Sequence, residues 1–280
     1  MKTKLIIIEG LPGSGKSTIA QLVHDILTEF GEETQVILEG NLDHPADYDG
    51  VANYKKDEFN ILLSENEKFK GLINDRVIKQ GNDYFIPYRK MKNEYGSAFP
   101  DELLNTIFKK DIYELPLDQN RELIIDKWKK FNENALHQDT TYIFECNFIQ
   151  NPVTIGMVKN NSSKETIINY VLQLEDIVKG LNPLLIYIDQ KDLKFVFNKA
   201  IRERSKEWSE GFIEYYTNQG YGKANNFHGI EGTIQVLEAR KKLEMEIFKM
   251  LKIEKKKIDN SLFNLNKCKV ELRNILKEYF

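Results

Sequence analysis

Residues 6–20 read IIIEGLPGSGKSTIA: an apolar run, a loop rich in glycine, then the first turn of a helical pattern. Within it Gly10-Leu11-Pro12-Gly13-Ser14-Gly15-Lys16-Ser17 satisfies G-x-x-x-x-G-K-[ST], flanked by the strand and helix that give this motif its physical meaning. Glycines let the backbone curl so that successive N–H groups point inward, and the helix N-terminus adds partial positive charge. Together they cradle phosphates. Gly10, Pro12, Gly13, Ser14, Gly15, Lys16, Ser17 and Thr18 are the expected nucleotide contacts, with Lys16 reaching the β- and γ-phosphates and Ser17 ligating Mg²⁺. A Gly-rich turn kept only for structure is the plain alternative. Triphosphate binding also leaves open whether the phosphoryl group goes to water, to a protein or to a small molecule.

Working outward, four short apolar runs fall at Lys4–Glu9, Gln35–Glu39, Tyr142–Glu145 and Pro183–Asp189. Continuous apolarity, rather than alternation, predicts strands covered on both faces, as in a parallel sheet between helices. Ile19, Leu22, Val23, Ile26, Leu27 and Phe30 recur at helical spacing and Gly31 follows as a C-terminal residue, which completes one βαβ unit. Ser162 and Glu165 fit a capping box for a second helix ending near Gly180. Further helices are predicted over Leu193–Ile201, Ile234–Leu251 and Leu262–Leu276, with a faint strand signal at Lys256–Ile258. The alternation breaks over 51–137, where helical segments (FPDELLNTIFKK, RELIIDKWKKFNENAL) surround a hairpin-like VIKQGNDYFIPYRK. That stretch is expected to be an insertion into one α/β domain spanning 1–280, because the chain returns from it to a core strand.

Composition excludes some classes. With 41% hydrophobic and 30% charged residues the chain has the make-up of an ordinary globular protein, and a net charge of −3 offers no general basis for binding nucleic acid. The run Leu5–Ile8 is too short for a signal peptide or a membrane span, so neither is expected and a cytoplasmic protein is. Cys146 and Cys268 stand too far apart for metal-ligand spacing, and a disulfide framework is not expected.

Three further stretches resemble the P-loop kinases of nucleosides and nucleotides, of the deoxynucleoside kinase and thymidylate kinase type. VILEGN places Glu39 where these families carry a Glu facing the phosphoryl acceptor, and YIFECNF places Glu145 where they carry the acidic residue of a Glu-Arg-Ser or Asp-Arg-Tyr motif. Here Cys146 and Asn147 stand in place of the Arg and the Ser or Tyr. Arg202, Arg204 and Glu207 match the R-x-R-x-x-E spacing of the deoxynucleoside kinase lid, which makes 202–232 the expected lid region. The resemblance covers about half of the chain and implies a three-layer α/β P-loop NTPase fold, with a parallel sheet and a largely helical insertion. It also implies phosphoryl transfer from ATP with Mg²⁺ to a small-molecule acceptor, a nucleoside, nucleotide or other alcohol.

The chemistry asks for the same parts: a carboxylate for the acceptor hydroxyl, a cation site, and positive charge around the γ-phosphate. Glu39 is the expected base or merely a polar residue where a strand leaves the core. Glu145 is the expected Mg²⁺ partner with Ser17, or a carboxylate satisfied by backbone N–H groups. Arg202 and Arg204 close over the phosphates, or simply complement a helix C-terminus. In the loop after Glu39, Asp43 and His44 are candidate substrate contacts against a reading as a solvated turn, and Tyr88 and Arg89 are weighed likewise in the insertion. The Gly- and Asn-rich NQGYGKANNFHG is expected to be a mobile loop. A nucleotide-dependent ATPase or switch acting on a protein partner is the alternative to a kinase.

Overall fold

The computed structural model describes residues 2–280. In chain order the elements are β1 (Leu5–Gly10), α1 (Lys16–Glu29), β2 (Thr34–Ile37), β3 (Ala52–Lys55), α2 (Lys56–Glu65), α3 (Lys70–Arg76), β4 (Ile78–Gln80), β5 (Asp83–Ile86), α4 (Tyr88–Tyr95), α5 (Asp101–Phe108) and α6 (Leu117–Leu136). There follow β6 (Thr141–Glu145), α7 (Gln150–Val153), α8 (Lys164–Val178), β7 (Leu184–Asp189), α9 (Leu193–Glu203), α10 (Lys206–Thr217), α11 (Gly220–Ala224), α12 (Gly229–Met250), β8 (Glu254–Asp259) and α13 (Leu265–Leu276). The chain divides into two compact units, Met1–Glu39 with Trp128–Phe280, and Gly40–Lys127.

The first unit is a three-layer α/β fold. Its sheet has the order β2-β6-β1-β7-β8 and every pairing is parallel, so the strand bearing the glycine loop lies at the centre. Alternate residues of the buried strands face opposite layers. Ile6, Ile8, Ile143, Ile186 and Ile188 pack with Ile19, Val23 and Leu27 of α1 and with Leu272 and Leu276 of α13. On the other face Phe144 meets Trp128 and Phe131 of α6, and Tyr187 meets Phe248 of α12. Each such apolar side chain taken from water contributes about 1.5–3 kcal/mol, and this burial on both sides explains the unbroken apolar runs.

The second unit is a three-stranded antiparallel sheet, β3-β5-β4, with helices around it. The expected hairpin is the β4–β5 pair, turned at Gly81 with φ +59°. Tyr54, Phe59, Ile73, Ile86, Met91, Phe99 and Ile107 form its core.

Some local expectations shift. Ser163, not Ser162, caps α8: its hydroxyl accepts the Thr166 N–H, while the Ser162 N–H closes the preceding turn on the Gly156 carbonyl. β2 ends at Ile37, so Glu39 lies two residues beyond it and is exposed. The Gly- and Asn-rich stretch is not loop throughout: it contains the short helix α11 and runs to the start of α12. A Cβ on Gly220 would come within 2.1 Å of the Val158 carbonyl oxygen and one on Gly222 within 2.1 Å of that of Tyr216, so backbone packing holds the turn in place. The faint strand signal is the six-residue edge strand β8, in which Lys257 is exposed, Lys255 and Lys256 are half-buried, and Ile258 is the one buried residue. Among the described residues no helix is long and apolar enough to cross a membrane.

Trp128 is fully buried against Phe131, Phe144 and Phe148. Trp128→Ala is expected to lower unfolding free energy by about 3–5 kcal/mol in denaturant titration. Trp128→Phe should cost markedly less, since the indole Nε1 has no hydrogen-bond partner to lose.

Candidate functional site

Parallel strands of this topology present their C-terminal ends together, and the glycine loop leaves the central one. Gly10 has φ +145°, and a Cβ there would sit 2.6 Å from the Ile188 carbonyl oxygen of the adjacent strand, so the turn out of the sheet requires glycine. The loop is fastened from the far side. The Ser14 carbonyl accepts from Asn260 Nδ2 at 2.8 Å and from Gln190 Nε2 at 3.2 Å. The first turn of α1 then starts at Lys16 with no side-chain cap, which leaves its N–H groups directed at the loop's concavity.

Lys16 is buried and its Nζ donates to the Leu11 carbonyl at 3.2 Å, folded back across the loop. Burial alone pulls its pKa down, but Cys146, Glu39, Glu145 and Glu9 around it outweigh that and hold it above the ordinary lysine value. Ser17 Oγ donates to Glu145 Oε1 at 2.7 Å, and the Glu39 N–H donates to Glu145 Oε2 at 3.3 Å. Hydroxyl and carboxylate oxygens are the donors a hard divalent cation takes, so this pair fits Mg²⁺ in its ligand chemistry. The Glu39 carboxylate is oriented by Gln150 Nε2 at 3.0 Å and approached by Cys146 Sγ at 3.4 Å.

Lys16, Ser17, Glu39, Glu145 and Gln150 line a cavity of about 740 Å³ that also takes in Pro12, Gly13, Gly15 and Thr18. Its opposite wall is aromatic. Trp208, Phe212 and Tyr216 follow one another along α10, with ring centroids 5.0 and 4.1 Å apart, and the Arg204 guanidinium lies 4.3 Å from the Trp208 centroid. Arg204 and Glu207 line the cavity, whereas Arg202 is exposed and does not line it.

The remaining candidates lie in the second unit, each engaged with a partner there. Asp43 pairs with Lys90 and Arg89 with Asp49. Tyr88 donates to Asp111 at 2.6 Å. His44 is buried, its Nδ1 accepts the Ala46 N–H, and burial followed by the charge of Lys127 pushes its pKa down to about 3, so the ring is neutral.

Three residues that position the site escape a reading of the sequence alone. Glu9 is fully buried and accepts the backbone N–H groups of Phe148 and Ile149 at 2.8 Å and of Gln150 at 3.0 Å. Desolvation pushes its pKa up to about 7 despite those donors. Arg240 is fully buried on α12, where its guanidinium donates to Glu244 at 2.7 Å, Thr154 Oγ at 2.8 Å, Tyr216 OH at 2.6 Å and the Gln150 carbonyl at 3.2 Å. Gln150 sits at the junction of both clusters. Glu9 adjoins the motif and could have been singled out by position, but Arg240 lies in EARKKLEME, where nothing separates it from a solvated helix face.

No protein-family model and no curated protein matches the sequence. Among solved structures the chain is similar to a thymidylate kinase from Candida albicans, described for broad substrate specificity and a novel structural element, with TM-score 0.44 and 16% identity over 99% of this chain and 92% of that one. It is similar also to APE1195, with TM-score 0.31 and 16% identity over 87% and 96% of the two chains. Likenesses of this depth bear on neither activity nor substrate.

Two outcomes test the buried groups. Between pH 4.5 and 7 the folded chain keeps on Glu9 a proton that the unfolded chain releases, so this residue makes stability fall as pH rises through that window. The wild-type unfolding free energy minus that of Glu9→Gln should therefore decline by on the order of 3 kcal/mol from pH 4.5 to 8. Arg240→Ala strands Glu244 in the interior and should cost about 3–5 kcal/mol by chemical denaturation, with much of it recovered when Glu244→Met is added to Arg240→Met.

Proposed function

We propose that the chain is an ATP- and Mg²⁺-dependent phosphotransferase that moves the γ-phosphoryl group to a hydroxyl of a small-molecule acceptor. The observation that supports this most is the convergence, at the mouth of the phosphate loop, of Lys16, the Ser17–Glu145 pair at 2.7 Å and the Glu39 carboxylate in one cavity. A pure nucleotide-binding module has no need of the second carboxylate.

Phosphoryl transfer is mostly positioning and charge neutralisation. Loop N–H groups and Lys16 take the charge of the β- and γ-phosphates. Glu39, steered by Gln150, accepts the proton of the acceptor hydroxyl as its oxygen bonds to the γ-phosphorus and the bond from that phosphorus to the β–γ bridging oxygen breaks. Mg²⁺, held through Ser17 and Glu145, would neutralise charge on the phosphate oxygens. Arg204 supplies a further cation from the α9–α10 corner, and the aromatic wall of α10 excludes water that would otherwise compete as acceptor.

ATP consumption measured across a panel of nucleosides, nucleotides and aminoglycoside-like alcohols tests the reading. At least one acceptor should stimulate turnover, and Lys16→Ala should lower that turnover roughly 100-fold or more. ATP hydrolysis indifferent to every small molecule but raised by a protein would replace this reading with that of an ATPase acting on a partner.

A further inference from the structure

The residue that departs from the nucleoside and nucleotide kinase pattern lies within the carboxylate cluster. We propose that Glu39, Glu145 and Cys146 form a site for a thiophilic divalent cation, with Zn²⁺ the biological candidate, and that its occupancy withdraws both carboxylates from phosphoryl transfer. The binding claim rests on these three side chains; only the inhibition rests on the phosphotransferase reading.

One ligand atom from each residue lies within 4.8 Å of the other two, and Cys146 Sγ is already 3.4 Å from Glu39 Oε2. With Zn–S about 2.3 Å and Zn–O about 2.0–2.2 Å, two ligands of one zinc ion lie at most about 4.5 Å apart, so small side-chain rotations close the set. Two oxygens and a sulfur leave a fourth, open position. A thiolate among the ligands favours zinc or cadmium over magnesium, which seeks six oxygens.

Two features mark this as more than a cluster of acids. Cys146 holds a left-handed backbone with φ +73°, a conformation that non-glycine residues keep where the surroundings enforce it. Beside it Gln150, a side chain only 5% exposed, donates its Nε2 to Glu39 while its Oε1 has no partner. A buried amide oxygen without a donor is where the O–H of a metal-bound water would be received. The charges also balance. On binding, the thiol releases its proton to solvent, and three negative ligands are then offset by the ion and the neighbouring Lys16.

Cadmium supplies the probe, since its bond to a thiolate absorbs in the ultraviolet. Cd²⁺ titrated into the reduced full-length protein and into Cys268→Ser should give the same band, saturating at about one equivalent. Cys146→Ser should lose the band and bind at least about 100-fold more weakly, beyond the roughly 10–100-fold that loss of an outer partner costs. Glu39→Gln should keep the band with weakened affinity, and serves if Cys146→Ser does not fold. Persistence of the band in Cys146→Ser, its loss in Cys268→Ser, an affinity unchanged in Glu39→Gln, or no band in the wild type overturns the site. Where an acceptor is known, equal inhibition of wild type and Cys146→Ser by Zn²⁺ overturns the inhibition. These binding readouts stand whether or not any acceptor is found.

Discussion

The carboxylate of Glu9, shut away from water at the end of the central strand, receives three consecutive backbone N–H groups of the chain leaving β6. Phe148 and Ile149 precede α7 and Gln150 opens it, so these N–H groups have no intrahelical partner, and buried donors of this kind must be satisfied. One side chain thus fixes the distance between the root of the phosphate loop and the segment that carries Gln150. Arg240 grips the same segment from α12 through the Gln150 carbonyl and Thr154, and reaches Tyr216 on α10. Loop, acidic centre and aromatic wall are therefore referenced to one buried polar framework rather than to flexible surface contacts.

That framework explains how so many like charges coexist. Glu39 and Glu145 approach each other at the strand ends, where repulsion would splay them apart if they were left alone. Lys16, drawn in beside them, offsets the repulsion, and Glu145 is further held by the Ser17 hydroxyl and the Glu39 N–H. Cys146, the residue after Glu145, brings no positive charge to this cluster, so the offset falls to Lys16.

How legible each part was in the sequence follows from the range of the forces involved. The phosphate loop was legible because its chemistry is local: glycines for curl, a lysine and a hydroxyl at set offsets, all in one turn. Strands β1, β6 and β7 were legible because burial on both faces leaves continuous apolar runs, whereas β8 was faint because this edge strand buries Ile258 alone and carries three consecutive lysines. The Gly- and Asn-rich stretch before α12 misled in the other direction. Gly220 and Gly222 answer to close approach of the backbone at Val158 and Tyr216, a contact distant in sequence for Gly220.

The sequence by itself determined that a phosphate-binding loop sits between a buried strand and an amphipathic helix in an α/β chain, since those features depend on neighbours within a few residues. How Glu39 and Glu145 are held beside that loop, that Arg204 but not Arg202 lines the cavity, and that Glu9, Gln150 and Arg240 bind the site together were decided only by tertiary structure. The reason is physical. A buried arginine and a solvated one have the same letter, and their difference lies in the partners at Glu244, Thr154 and Tyr216 that folding brings within hydrogen-bond reach.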